Sequence, residues 1–222
     1  MAGTTRRLAE QQPESFEFTP ENLKLAEAHI AKYPEGRQAS AVMPLLDIAQ
    51  RQNNGWVCEP AIRVIAEMLD MPYIRVLEVV TFYTMYNLAP IGRHHVQVCT
   101  TTPCWLRGSD EIVSACRKHL GIGMGETTQD GLFTLSEAEC LGACVNAPMM
   151  QIDDDYYEDL DAGSTVKVLE ALARGETPKP GPQNGRQTSA PAGGLTTLKA
   201  KVDRPKADGK PKTKGEDKDA RG

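Results

Sequence analysis

The sequence predicts an α+β protein: an N-terminal helical bundle, then a small sheet covered by helices. Three observations predict it. Apolar residues recur at helical spacing in successive segments between Pro20 and Val80. The connections between those segments are short, which favours neighbouring helices in a bundle. After Pro90-Ile91-Gly92 the pattern changes to short β-type runs alternating with helical ones, the signature of a sheet with helices packed on it.

Taken in order, residues 1–18 are polar and read as an extended segment. Thr19-Pro20-Glu21 opens a helix with a capping hydroxyl, a proline at the first helical position and an acid in the first turn. Leu23, Ala26 and Ile30 share its apolar face, and Tyr33-Pro34-Glu35-Gly36 ends it. A second helix is expected from about Ser40 to Gln52. Pro44 is tolerated only in a first turn, which moves the true start a few residues past Ser40. Val42, Leu45, Leu46 and Ala49 form its stripe, and Asn53-Asn54-Gly55 stops it. A third helix opens at Glu59-Pro60 with Ile62, Ile65, Ala66 and Leu69 inward. Met71-Pro72 separates it from a fourth carrying Ile74, Leu77 and Val80. Phe82, Tyr83, Met85 and Tyr86 are expected to pack where the helices meet the next domain.

Beyond the Pro90-Ile91-Gly92 linker, His95–Cys99 reads as a strand. Ser109-Asp110-Glu111 caps a helix with acids at its positive end; Ile112, Cys116 and Leu120 lie on one face and Gly121 closes it. Asp130-Gly131 turns the chain into a strand Leu132–Leu135. Met149–Ile152 is a further strand, Asp153-Asp154-Asp155 a turn, and Ala162–Arg174 a last helix with Val166, Leu169 and Leu172 inward. Gly163 should weaken that helix's first turn by about 1 kcal/mol. From Glu176 the composition shifts to Pro, Gly, Thr and Lys, too polar to order itself alone.

At 222 residues and 40% apolar content, the chain can build one substantial core or two small ones. Its net charge of −5 is unevenly spread: the end from Lys199 onward carries nine Lys/Arg against five Asp/Glu, so the rest is strongly acidic. An acidic body argues against nucleic acid as the main partner. Arg6 and Arg7 are followed by Glu10, Pro13 and Glu14 rather than an apolar run, so no signal peptide is read there. No apolar stretch reaches membrane-spanning length, because Ala61–Val80 is interrupted by Arg63, Glu67, Asp70, Pro72, Arg75 and Glu78. A reducing compartment is expected, in which clustered cysteines signal metal or redox chemistry.

Four of the six cysteines form two pairs, Cys99/Cys104 as C-x4-C and Cys140/Cys144 as C-x3-C. Four thiolates complete the coordination of a [2Fe–2S] cluster, presented as pairs from two places in the chain. Both pairs follow strands and are expected on loops at the sheet's edge. Thr100, Thr101 and Thr102 offer donors to sulfur, Gly142 lets backbone approach closely, and Trp105 could shield the site. A four-thiolate zinc site and a redox dithiol are rivals, although both usually use C-x2-C. Cys58 and Cys116 are expected to be small core residues. His94 and His95 adjoin the first strand; a Rieske-type centre would need them to replace two cysteines, and four cysteines already suffice. No G-x-G-x-x-G unit is present, and Gly121-Ile122-Gly123-Met124-Gly125 follows a helix rather than a strand.

Specific segments go further. Ser15-Phe16-Glu17-Phe18, Thr81-Phe82-Tyr83-Thr84-Met85-Tyr86, Cys99-Thr100-Thr101-Thr102-Pro103-Cys104, Asp130-Gly131-Leu132-Phe133-Thr134-Leu135, Glu139-Cys140-Leu141-Gly142-Ala143-Cys144 and Asn146-Ala147-Pro148-Met149-Met150 together resemble the 24 kDa [2Fe–2S] subunits of respiratory complex I, the E subunits of bacterial NADH–quinone oxidoreductases. Pro178-Lys179-Pro180-Gly181-Pro182 and Pro191-Ala192-Gly193-Gly194-Leu195 extend the likeness into the tail.

The resemblance implies a helical bundle followed by a thioredoxin-like [2Fe–2S] ferredoxin domain, with Cys99, Cys104, Cys140 and Cys144 as cluster ligands. It implies a larger flavoprotein partner binding NADH and FMN, neighbouring peripheral-arm subunits, and one-electron exchange with that FMN. It implies attachment to the cytoplasmic side of a bacterial inner membrane only through the complex, or the mitochondrial matrix side. The expected division is 1–18 extended, 19–90 bundle, 91–175 ferredoxin domain, 176–198 partner-docking tail and 199–222 disordered charged tail. The equivalent small subunit of an NAD-linked hydrogenase or formate dehydrogenase is an alternative, and a zinc-stabilised interaction module a more distant one. A cis Ala147–Pro148 bond is also expected, as thioredoxin-like folds often place one before a strand beside the active site.

Overall fold

A computed structural model describes residues 7–191, 193 and 194. The charged end from Lys199, with Leu195 and Leu198 before it, lies outside the described residues. Residues up to Ser189 form one compact unit, and a second begins at Ala190.

The first half is helical because its sequence supplies both stops and faces. α1 spans Pro20–Ile30, and the Thr19 hydroxyl accepts from Asn22 N–H as its cap. α2 spans Val42–Gln52 after a 3-10 turn at Gln38–Ala41, which places Pro44 in the first turn as its ring requires. α3 spans Glu59–Met68, and α4 spans Tyr73–Phe82 with Pro72 at its cap. Leu45, Leu46, Ile62, Ile65, Val76 and Val80 are fully buried in a shared core, with Phe16 and Trp56 at its margin. Burying a side chain of this size stabilises by about 1.5–3 kcal/mol relative to leaving it exposed.

Two expected face residues are exposed, Leu23 of α1 and Ile74 of α4; Ala26 and Val80 are buried as expected, and α4 buries Val76 as well. The expected packing cluster also divides. Tyr86 is fully buried and its hydroxyl donates to the Met43 carbonyl at 3.0 Å, whereas Phe82, Tyr83 and Met85 lie on the surface. α4 ends at Phe82, so helical periodicity no longer governs the residues after it.

The second half is a sheet with order β2-β3-β1-β4-β5-β6 among the described residues. β1 is His94–Cys99, β2 Glu126–Thr127, β3 Phe133–Ala138, β4 Met150–Ile152, β5 Asp155–Glu158 and β6 Gly181–Pro182. β1 and β3 run parallel, with Cys99 opposite Ala138; β4 joins the other side of β1 antiparallel. Between β1 and β3 come α5, Thr102–Leu106, and α6, Ser109–Leu120; α7, Ala162–Ala173, follows β5. Val96, Val98, Ile112, Cys116, Leu135, Met150, Tyr157 and Leu169 make the sheet–helix core.

Several local expectations are corrected. The residue capping α6 is Gly108, left-handed at φ 95°, while Ser109 is inside the helix and buried with its hydroxyl unpartnered among the described residues. Asp153-Asp154 turns the chain, but Asp155 already belongs to β5. Val166 is only half-buried; Thr165, Val168, Leu169 and Leu172 carry the inner face of α7. The weak first turn of α7 is offset by a capping box, Asp161 with Ser164. The Pro90-Ile91-Gly92 stretch is not a free linker. Gly92 N–H donates to the buried Thr134 hydroxyl at 2.6 Å, and a Cβ there would lie 2.8 Å from the Phe133 backbone.

The helical and sheet portions are also tied by Arg51, which forks onto Asp154 at 2.8 and 3.0 Å and reaches Asp47 at 3.1 Å. Both side chains of the Arg51–Asp154 pair are largely exposed, so it adds at most about 1 kcal/mol.

His95 is partly enclosed, its Nε2 2.8 Å from the Ser136 hydroxyl. Burial pushes its pKa below the usual imidazole value, against the pull of Asp153. The folded chain therefore binds fewer protons than the unfolded chain just below that usual value, and stability falls as pH drops through the window between the two pKa values. His95→Gln should flatten the pH dependence of the thermal midpoint between about pH 7 and 5; an unchanged slope would remove His95 as its source.

Candidate metal centre

Two parallel neighbours that end on the same side deliver their following residues to one place. Cys99 is the last residue of β1, and Cys140 lies two residues beyond Ala138, its partner in register at the end of β3. α6 makes this possible by returning the chain to the start of β3. β1 and β3 are interior strands of the sheet, so the cysteines gather at a strand end rather than at a sheet edge. They are also not all on loops: Cys104 lies within the one-turn helix α5, and Cys144 begins a 3-10 turn through Asn146.

The four thiols meet as two pairs. Cys140 Sγ and Cys144 Sγ are 3.5 Å apart, both exposed. Cys99 and Cys104 are buried and close enough for their thiols to hydrogen-bond. Among the described residues no three His, Cys, Asp or Glu side chains are gathered as a site for one metal ion. Two pairs of thiols are the donor set that a group with two irons takes.

Backbone donors surround the sulfurs. Burial disfavours the Cys99 thiolate, but the Thr101 hydroxyl, 3.3 Å away, and the N–H groups of Thr101 and Leu141 outweigh it, so its pKa falls below the usual thiol value. The pKa of Cys104 is pushed up to about 12 by burial, then by its bond to Cys99 and repulsion from it; Met149 N–H acts in the opposite sense. In the second pair, Gly142 N–H and the Cys144 thiol lower the pKa of Cys140, and the bond to Cys140 raises that of Cys144. Gly142 has φ 86°, a left-handed conformation that a side chain would strain. Cys99 and Cys104 share a buried apolar cluster with Ala147 and Met149, with Leu141, Ala143 and Tyr156 against it. The donor set, the pairing and the inward N–H groups all suit an iron–sulfur group.

A family model described as thioredoxin-like [2Fe-2S] ferredoxin matches residues 26–173. The chain belongs to this ferredoxin family. The E subunit of the NADH-quinone oxidoreductase of Rickettsia conorii is 60% identical over 158 residues, covering 71% of this chain and 95% of that protein. The mitochondrial NADH dehydrogenase [ubiquinone] flavoprotein 2 of Dictyostelium discoideum is 52% identical over 183 residues, covering 82% of this chain and 74% of that protein. An air-oxidised NAD+-reducing [NiFe]-hydrogenase is similar in fold, with TM-score 0.51 at 18% identity; the match covers 59% of this chain and only 23% of the hydrogenase chain.

Within this ferredoxin frame, the other expected residues separate. Of the threonines, Thr101 bonds Cys99, whereas Thr100 donates to Glu137 at 2.5 Å. Trp105 is exposed, its indole N–H donating to Asp110. His94 lies at the far end of β1 from Cys99, its ring nitrogen 2.7 Å from Asp153. Cys58 and Cys116 are fully buried in the two cores, as expected, and the Ala147–Pro148 bond is cis.

Sequence reasoning missed Tyr156, whose hydroxyl donates to the Leu141 carbonyl at 2.8 Å and holds the second cysteine loop. It also missed Asp159 and Arg186, which meet behind that loop. Tyr156 could have been found from alternation had Asp155–Glu158 been read as a strand; Arg186 carried no periodic signal.

The metal-free chain is expected to oxidise selectively. Cys140 and Cys144 already stand at sulfur–sulfur contact and are open to solvent, so a mild oxidant should bridge them first while Cys58 and Cys116 stay reduced. Peptide mapping by mass spectrometry reads the bridge. Prior oxidation of Cys116 would contradict the geometry.

Proposed function

We propose that this chain is the [2Fe–2S] electron-transfer subunit of an NADH–quinone oxidoreductase. The observation that carries the reading is that Cys99/Cys104 and Cys140/Cys144 stand as two pairs at and just past the ends of the parallel neighbours β1 and β3, in a chain 60% identical to an E subunit of that enzyme. The four cysteines are the proposed cluster ligands. When bound, the cluster supplies a one-electron store. The chain's own residues set its surroundings: Thr101 and the Leu141 and Gly142 N–H groups orient toward sulfur, and the apolar cluster with Ala147 and Met149 keeps water from the inner pair.

The electron must come from elsewhere, because the sequence has no dinucleotide-binding glycine loop. The proposed donor is a flavoprotein subunit that binds NADH and FMN, with other peripheral-arm subunits around it. In this reading residues 19–90 form a bundle domain and 91–175 the ferredoxin domain, with exposed Phe82, Tyr83 and Met85 on the first and Trp105, Leu106 and Val145 on the second available to partners. Among the described residues no helix is long and apolar enough to cross a membrane. The proposed position in the complex is peripheral, on the cytoplasmic side in a bacterium. The hydrogenase alternative has the same fold behind it but only 18% identity, so the 60% relatives favour the quinone-linked complex.

Cys140→Ser should lose most of the visible absorption and iron of the purified chain, while Cys116→Ser keeps both. An intact spectrum in the Cys140 variant would refute the ligand set. Thr101→Val should retain the cluster but shift its midpoint potential to more negative values, since a donor to sulfur is removed. Purification from its host should recover the flavoprotein subunit, and recovery of a hydrogenase subunit would favour the alternative.

A further inference from the structure

The stretch 176–198, read from sequence as a tail for a partner, contains residues that fold onto this chain itself. β6, Gly181–Pro182, pairs in parallel with the end of β5. Gln183 N–H then donates to the Glu158 carbonyl at 2.9 Å. Arg186 follows and enters a nearly closed site: its side chain is 10% exposed and that of Asp159 only 8%.

The bonds in this site converge on the loop that carries Cys144. Arg186 Nη1 donates to the Val145 carbonyl at 2.9 Å and to the two carboxylate oxygens of Asp159 at 3.0 and 3.3 Å. Asn146, 1% exposed, donates from its side chain to Asp159 Oδ2 at 3.0 Å and to the Thr188 carbonyl at 2.9 Å. Its own carbonyl accepts from Asp159 N–H at 2.7 Å. Asp159 takes a left-handed backbone at φ 49°. Without these bonds Cys144-Val145-Asn146 would be a surface 3-10 turn with an exposed cysteine at its head.

We infer that Arg186, with Asp159 and Asn146, is a positioning device for the cluster: a strap from beyond the last helix that fixes the Cys144 turn and balances the Asp159 carboxylate beside it. The inference rests on the proposed [2Fe–2S] reading, and its Arg186 lies past the 26–173 ferredoxin match. A buried ion pair is poor as a general stabiliser, because desolvating both charges offsets their attraction; its value lies in fixing one geometry. Here the geometry fixed is that of a proposed ligand's immediate neighbours. Loss of the Arg186 charge would leave the Asp159 carboxylate uncompensated and disfavour the more negative, reduced form of the cluster, since potentials respond to nearby charge and hydrogen bonding. The strap holds Val145 and Asn146, the two residues that follow the solvent-exposed Cys144.

The test uses the full chain carrying its cluster. Arg186→Gln, Arg186→Lys and Asp159→Asn are purified, and the visible spectrum is followed after adding an iron chelator, alongside a redox titration and a thermal melt. Arg186→Gln is expected to lose iron at least tenfold faster than the parent and to titrate at a more negative potential. Arg186→Lys should keep the potential close to the parent, because the charge remains, yet lose iron faster than the parent, because the planar guanidinium that joins the Val145 carbonyl to Asp159 is gone. Asp159→Asn should also release iron faster. Parent-like release and potential in folded Arg186→Gln would overturn the proposal. If that variant does not fold, parent-like release in both Arg186→Lys and Asp159→Asn would overturn it equally. A colourless, iron-free parent would instead sink the cluster reading itself, so the two failures are separable.

Discussion

The parallel pairing of β1 with β3 is the constraint on which the site depends. Parallel strands need a crossover, and α6 supplies it, so the chain leaves both strands at the same end of the sheet. Cys99 then stands at the end of one strand, and Cys140 just beyond the end of its neighbour. A one-residue slip would turn every side chain of β1 to the other face, and Val96 and Val98 would leave the core. The hydrophobic pattern of β1 thus fixes the place of the first thiol as firmly as it fixes the fold.

Around that point the protein places few charges on its thiols. The groups nearest the sulfurs are backbone N–H donors, one threonine hydroxyl and an apolar cluster. Such groups support thiolates without becoming ligands themselves. Charge enters one shell further out, in the nearly buried Arg186–Asp159 pair behind the Cys144 turn. Removing one partner of such a pair costs about 3–5 kcal/mol because the other is left buried and uncompensated.

Much of this was legible in the sequence. Helix starts were written by Thr19-Pro20 and Glu59-Pro60, helix faces by Leu45, Leu46, Ile62 and Ile65, and the four thiols by their spacing. What was hidden was tertiary. Ile74 and Leu23 have helical spacing but lie where their helices meet water. Ser109 looks like a cap, yet Gly108 can take the left-handed conformation and does. β2 and β6 are two residues each, too short for any period to register, and they exist because a neighbouring strand offers them bonds. Arg186 stands in a stretch of Pro, Gly and Gln whose composition reads as tail, and its burial rests on tertiary partners, the Asp159 carboxylate and the Val145 carbonyl among them.

The most direct measurement of the central claim is the metal and acid-labile sulfide content of the full chain isolated without oxygen, with a Mössbauer spectrum of its iron. Iron and sulfide are predicted in equal amounts, about two of each per chain, with both irons in thiolate-rich tetrahedral sites. One zinc per chain, with neither iron nor sulfide, would contradict the cluster.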